Sequence, residues 1–165
     1  MIHKKYRAER TIIKSGIPYI IFRPSWFFET LRLMVRDGKA TILGKQPNPY
    51  HWIAAADFAK MIVSAYSNPE VYNKIFYIYG PQPYLFKNVL EKYCNKFHPE
   101  INKISMAPLG LLKFIALLTG NKELKFATSM FKYFEKVKEP GNRAETDLLL
   151  GKADMNFEKW AESYK

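Results

Sequence analysis

Apolar positions recur along the chain in two rhythms, and those rhythms place its elements. Residues 2 to 15 read as a helix, with Ile2, Tyr6, Ile12 and Ile13 available for an inner face. Gly16 suits the left-handed position just after a helix, and Pro18 prevents the helix from continuing. Tyr19 to Phe22 is an unbroken apolar run rich in β-branched and aromatic residues, the pattern of a strand covered on both faces. Arg23-Pro24 closes it, because proline cannot donate to a further rung of a ladder. Trp26 to Val35 reads as a helix or ordered loop carrying Trp26, Phe27, Phe28, Leu31, Met34 and Val35.

Asp37-Gly38-Lys39 is a turn, Thr41 to Leu43 a short strand, and Gly44 to His51 a loop of the kind that forms active-site lids. Asp57 is placed to cap a helix from Phe58 to Tyr66, where Phe58, Met61, Ile62, Ala65 and Tyr66 form one stripe. Asn68-Pro69 ends that helix. Lys74 to Tyr79 reads as a second buried strand, closed by Gly80-Pro81. A helix follows with Phe86, Val89, Leu90, Tyr93, Cys94 and Phe97 on one face. Ile101 to Met106 is a short strand. Pro108 to Leu118 is apolar all round except for Lys113, so it must be covered. Lys122 to Lys138 is amphipathic, with Leu124, Ala127, Phe131 and Phe134 inward. Pro140-Gly141-Asn142 breaks the chain before Glu145 to Leu150 and a tail helix carrying Phe157 and Trp160.

Helix, buried strand and tight turn in this order read as an α/β unit, either a plain one with a tight turn or part of a doubly wound parallel sheet. Such sheets bind ligands outside the carboxyl ends of their strands, which points to the Arg23 to Phe28 turn. At 165 residues the chain is long enough for a core, and 48% apolar and 16% aromatic content exclude disorder. A single cysteine, Cys94, excludes an internal disulfide framework and fits a reducing compartment. Met1 to Ser15 is charged throughout, without the apolar core of a secretory signal, and no run is long enough to span a membrane. A cytoplasmic protein is expected. Three histidines and one cysteine, with no His-Glu-x-x-His or paired-cysteine spacing, supply no metal set. The net charge of +11 invites a nucleic-acid reading, but the lysines are spread and no basic run of five or six occurs. The Lys122 to Lys138 lysines read as the solvated face of a helix, with phosphorylated cofactors, acidic lipids or an acidic partner as alternatives.

The pattern Glu9…Ser15-Gly16-Ile17-Pro18-Tyr19…Phe22-Arg23-Pro24-Ser25-Trp26-Phe27 carries a family resemblance. Trp52-Ile53-Ala54-Ala55-Ala56-Asp57-Phe58-Ala59 and Tyr77-Ile78-Tyr79-Gly80-Pro81 extend it. Together they resemble the C-terminal half of an atypical short-chain dehydrogenase/reductase of the NmrA-like, NAD(P)-dependent epimerase-related kind. The resemblance implies the C-terminal portion of a Rossmann-like nucleotide-binding domain at 1–100 and a mostly helical substrate-binding or cap region at 101–165. It implies NAD or NADP as cofactor, contacted by Arg23, Pro24, Ser25, Trp26 and Phe27, and a small-molecule substrate beside Phe28, His51 and Trp52. The family's catalytic lysine falls at Lys5. Its tyrosine, four residues earlier, would fall at Met1, whose thioether cannot transfer a proton.

No Gly-rich G-x-x-G-x-x-G turn occurs, so the resemblance implies that the nucleotide-binding half, roughly 120 to 130 residues by usual domain sizes, is supplied elsewhere. Two readings compete at several residues. Lys5 reads first as an ordinary exposed lysine, and His51, with no visible carboxylate partner, as structural instead of a general acid or base. The Trp26 cluster reads equally as core or as nicotinamide contact. For the whole chain the alternatives are the substrate half of an oxidoreductase or epimerase, inactive alone, a non-catalytic binding or assembly module, and a basic binder of anionic surfaces. Exposed strand edges in a partial sheet predict a homo-oligomer, or pairing with the nucleotide-binding half.

Overall fold

The computed structural model describes residues 2–164. Helix α1 (Ile2–Lys14) ends at Gly16, which takes φ +73°, and leads into strand β1 (Ile20–Pro24). β1 pairs in parallel with β5 (Lys74–Ile78), from Ile20 opposite Lys74 to Pro24 opposite Ile78. Pro24 sits on the last rung, and Ser25 N–H donates to the Ile78 carbonyl at 3.0 Å, so the ladder passes the missing donor. The strand is half-buried instead of fully covered, because β5 alone pairs with it among the described residues.

Phe28–Met34 forms a 3-10 helix, followed by the hairpin of β2 (Val35–Arg36) and β3 (Lys39–Leu43). Asp37 and Gly38, both at positive φ, make its two-residue turn, the conformation that follows the strands' twist. β3 also pairs in parallel with β7 (Ile104–Ala107), and β4 (Tyr50–His51) pairs antiparallel with β6 (Pro83–Tyr84). The expected lid from Gly44 to His51 is instead pinned. Gln46 is buried and donates to the Leu43 and Phe131 carbonyls, while Asn48 and Tyr50 donate to carbonyls at the end of α5 (Lys122–Phe134). Phe134 is the last helical residue, where carbonyls run out of intrahelical donors, so the loop completes the helix end.

Helix α2 (Ala55–Tyr66) begins earlier than expected, and Asp57 does not cap it. Glu29 accepts the Ala55 N–H at 3.0 Å and the Trp160 indole N–H at 2.8 Å, doing that work from outside the helix. Asp57 lies in the first turn, 2% exposed, and accepts the Asp154 and Met155 N–H groups at 2.9 and 2.8 Å and the Lys60 ammonium at 3.0 Å. Burial alone would push its carboxyl up. The hydrogen bonds from Met155, Lys60 and Asp154 outweigh that and hold it below the usual range.

Two apolar clusters result. Phe76, Ile78, Met61, Ala65 and Val71 join β5 to α2, with Leu150 of α6 (Ala144–Leu150) closing the group. The larger cluster joins Phe28, Trp52, the stripe of α3 (Phe86–Phe97), Phe131 and Trp160 of α7 (Phe157–Ser163). Cys94 belongs to it, and burial pushes its thiol up, as befits an inert core position. Helix α4 (Leu109–Leu118) departs from expectation: only Ala116 is fully buried, and Leu111, Phe114, Leu117 and Leu118 stand in solvent. On α1, Tyr6 and Ile12 are likewise exposed where an inner face was expected.

Candidate functional site

Beyond the carboxyl ends of β1 and β5 the chain opens a cleft of about 600 Å³. Its floor is Arg23-Pro24-Ser25-Trp26 from the end of β1, with Tyr77 from β5 and Tyr79 just beyond it. Lys5, Tyr6 and Glu9 of α1 form one wall. The roof is the end of α5 and the segment Val137-Lys138-Glu139-Pro140. Parallel pairing explains the location, since both strands end at the same level and their connections diverge there.

Arg23 is not free to meet a ligand as a bare cation. Its guanidinium holds Glu9 through two bonds, at 2.5 and 3.3 Å, and donates to the Tyr77 hydroxyl at 3.0 Å. The Glu9 hydrogen bond raises its pKa further, against the opposing effect of burial. Trp26 forms the back wall, packed between Trp52, Phe86, Phe131 and Phe134 with ring centroids 4.8–5.8 Å away. Its indole Nε1–H is buried and has no acceptor among the described residues.

Glu139 is the centre of the roof. One carboxylate oxygen accepts the His51 backbone N–H at 2.8 Å and the Ser25 hydroxyl, and the other meets His51 Nδ1 at 2.6 Å. An ionised carboxylate only accepts, so a proton sits on Nδ1 in this contact. The imidazole stacks on Tyr79 with centroids 5.6 Å apart. His51 therefore has a carboxylate partner after all, which corrects the lone-histidine reading. The partner was invisible because it lies 88 residues away. Ser25, His51 and Glu139 are not a nucleophilic triad, since the Ser25 hydroxyl donates to the acid instead of to the imidazole.

Tyr79 donates its hydroxyl to the Pro140 carbonyl, and Tyr50 donates to those of Phe134 and Val137 at 2.8 and 2.6 Å. Burial, with the Glu139 charge second, pushes both phenols up to about 12. A raised folded-state value means that stability is intact below the ordinary 10.0 and drains away as pH climbs from there toward about 12. Tyrosinate absorbance should show two late-titrating phenols coincident with alkaline unfolding. Glu139→Gln should bring both midpoints down, and unchanged midpoints would place the charge's influence elsewhere.

Of the residues singled out from sequence, Lys5, Arg23, Pro24, Ser25 and Trp26 line the cleft together. His51 sits behind its rim, held by Glu139. Phe27, Phe28 and Trp52 do not line it. Phe28 and Trp52 are wholly buried in the larger core, and Phe27 packs on Phe58 while its backbone bridges to Ile53. Their aromatic bulk finds more apolar surface inward than toward the cleft. Met1 lies outside the described residues. Sequence reading missed Glu139, Tyr50 and Tyr79. The one available signal was a lone acid, Glu139, set against the helix breakers Pro140-Gly141.

Among the described residues, no group of three His, Cys, Asp or Glu is arranged to hold a metal ion. No described helix is long and apolar enough to cross a membrane.

The fold is that of reductases, epimerases and short-chain dehydrogenases. An isoflavone reductase superposes with a TM-score of 0.70 at 16% identity, over 99% of this chain and 58% of its own. A nucleoside-diphosphate-sugar epimerase from Staphylococcus aureus gives 0.67 at 15%, over 94% and 56%. A short-chain dehydrogenase/reductase superfamily protein from Agrobacterium tumefaciens, with NAD bound, gives 0.55 at 13%, over 96% and 53%. Among curated proteins, the Photosystem II assembly factor Ycf39 of Trieres chinensis is 22% identical over 124 residues, 73% of this chain and 39% of that protein. The chain thus spans about two-fifths of the length of this relative. No protein-family model matches the chain.

Proposed function

We propose that this chain is the substrate-binding half of an NAD(P)-dependent oxidoreductase or epimerase of the atypical short-chain dehydrogenase type. The observation that carries the reading is the cleft at the carboxyl ends of β1 and β5, where Lys5 and Arg23-Pro24-Ser25-Trp26 converge. A shared fold with a structure that holds NAD supports the cofactor class. The residues fit one end of a dinucleotide. Trp26 offers an aromatic wall and an unpartnered N–H, and Lys5 brings a cation to the rim. They do not fit the pyrophosphate, for no glycine-rich turn follows a strand in the sequence. Another body, a nucleotide-binding half, would hold the phosphates and join at the unpaired edge of β1, while this chain alone grips a dinucleotide by its nicotinamide end.

A bound nicotinamide would supply hydride transfer. The chain's own part is to exclude water with the Glu139 roof, which His51 holds in place from behind, and to fix a substrate oxygen with Lys5.

One observation favours the alternative of a non-catalytic binding or assembly module. Tyr50, Tyr79, Ser25 and Arg23 all spend their polar groups on holding the cleft together. The likeness to an assembly factor agrees with that reading.

Calorimetric titration of the chain with NADPH and NADH, at low and moderate salt, separates the two. Saturable binding that persists at moderate salt, and weakens about tenfold in Lys5→Ala for one lost charged hydrogen bond, is the expected result. Binding that vanishes with salt, or is indifferent to Lys5, would overturn the cofactor assignment and leave the module.

A further inference from the structure

Helix α4 is built almost wholly of leucine, isoleucine and phenylalanine, yet packs mainly through its Ala116 side against α5. Leu111, Phe114, Leu117 and Leu118 are 56–74% exposed, and Met106, just before the helix, is 60% exposed. At 100° per residue, these four and Ile115 share one arc, with Lys113 at its edge. A contiguous apolar patch of this kind marks an interaction surface.

Charge decides what covers it. Residues 101 to 134 contain five lysines, Lys103, Lys113, Lys122, Lys125 and Lys132, and a single carboxylate, Glu123. None of the five lysines forms a salt bridge among the described residues. Lys122 and Lys125 follow directly on the α4–α5 turn, and Lys113 flanks the apolar arc. A second copy, itself at +11, would bring a like-charged rim against this one. Ten residues rise about 15 Å, half of a bilayer's hydrocarbon core, so the helix can lie in an interface but not cross it.

We propose that α4 seats the protein on an anionic lipid surface, with the leucines and Phe114 dipped into the acyl boundary and the lysines at the headgroups. The seating is independent of what the cleft binds.

Co-sedimentation of the chain with vesicles of phosphatidylcholine, alone or mixed with phosphatidylglycerol, tests it. Binding to the mixed vesicles should exceed binding to the neutral ones by at least about tenfold at low salt, since several lysines act together. The pair Leu117→Asp and Leu118→Asp should abolish it while leaving the thermal transition in place, because both side chains are exposed. Lys113→Glu with Lys122→Glu should weaken binding at least about thirtyfold without touching the apolar face. Three results would overturn the proposal. One is no preference for the anionic vesicles. Another is vesicle binding that the leucine substitutions leave intact. The last is absence of vesicle binding with a dimer, seen by light scattering, that those same substitutions dissolve.

Discussion

Replacing Gly80 by alanine should cost at least about 3 kcal/mol and lower the thermal midpoint by roughly 6 to 12 °C, or prevent folding. A Cβ at this position would enter the carbonyl oxygen of Trp52 and stand 2.6 Å from its carbon and 3.2 Å from the Ile53 nitrogen. These are backbone atoms with no flexible end to give way. The Gly80 N–H donates to the His51 carbonyl at 3.3 Å, and its own carbonyl accepts the Arg143 guanidinium at 2.9 Å. The close approach thus fixes where β5 leaves the sheet and where His51 sits. Urea unfolding of the variant measures the loss. Alanine at Gly110, where an added Cβ meets nothing within 4 Å, is the matched control and should leave stability unchanged or slightly raised. Equal transitions for the two variants would sink the argument.

Asp57→Ala should destabilise the chain by about 3 kcal/mol, because two part-buried backbone donors and a cation lose their buried acceptor together. Released N–H groups at Asp154 and Met155 leave the approach to α7 without its anchor, so Phe157 and Trp160 loosen from the larger core. The pH dependence has a fixed sign. The folded carboxyl titrates below its ordinary value of 3.8, so its contribution is complete above that pH and disappears as acid is added. Wild type should therefore lose stability on acidification below about pH 4 more steeply than Asp57→Ala. Parallel acid limbs in the two proteins would show that the carboxylate is not the linkage.

Much of the architecture was written in local pattern. Gly16, the Asp37-Gly38 turn and the Phe86 to Phe97 stripe each specify their element through backbone conformation or one helical face, and the structure has them in place. The Arg23 to Trp26 turn was legible because a strand closed by proline announces its carboxyl end. The rest depended on partners distant in sequence. Asp57 has the composition of a cap, and only the return of residues 154 and 155 makes it a clasp. His51 looks solitary until Glu139 arrives across the roof. Burial of α4 could not be read at all, because an apolar helix says that it needs a cover but not whether the chain provides one.

The clasp between Asp57 and Met155, 98 residues apart, also sets a schedule. At synthesis rates of about 5 to 20 residues per second, Asp57 leaves the ribosome roughly 5 to 20 seconds before its acceptor role can be filled. β3 likewise waits for β7, and β1 for β5. Pairings at such separations close slowly even in the finished chain. Through that interval Phe28, Trp52 and the strand edges have no cover, so newborn copies are most exposed to aggregation and to chaperone capture before the last helix is made.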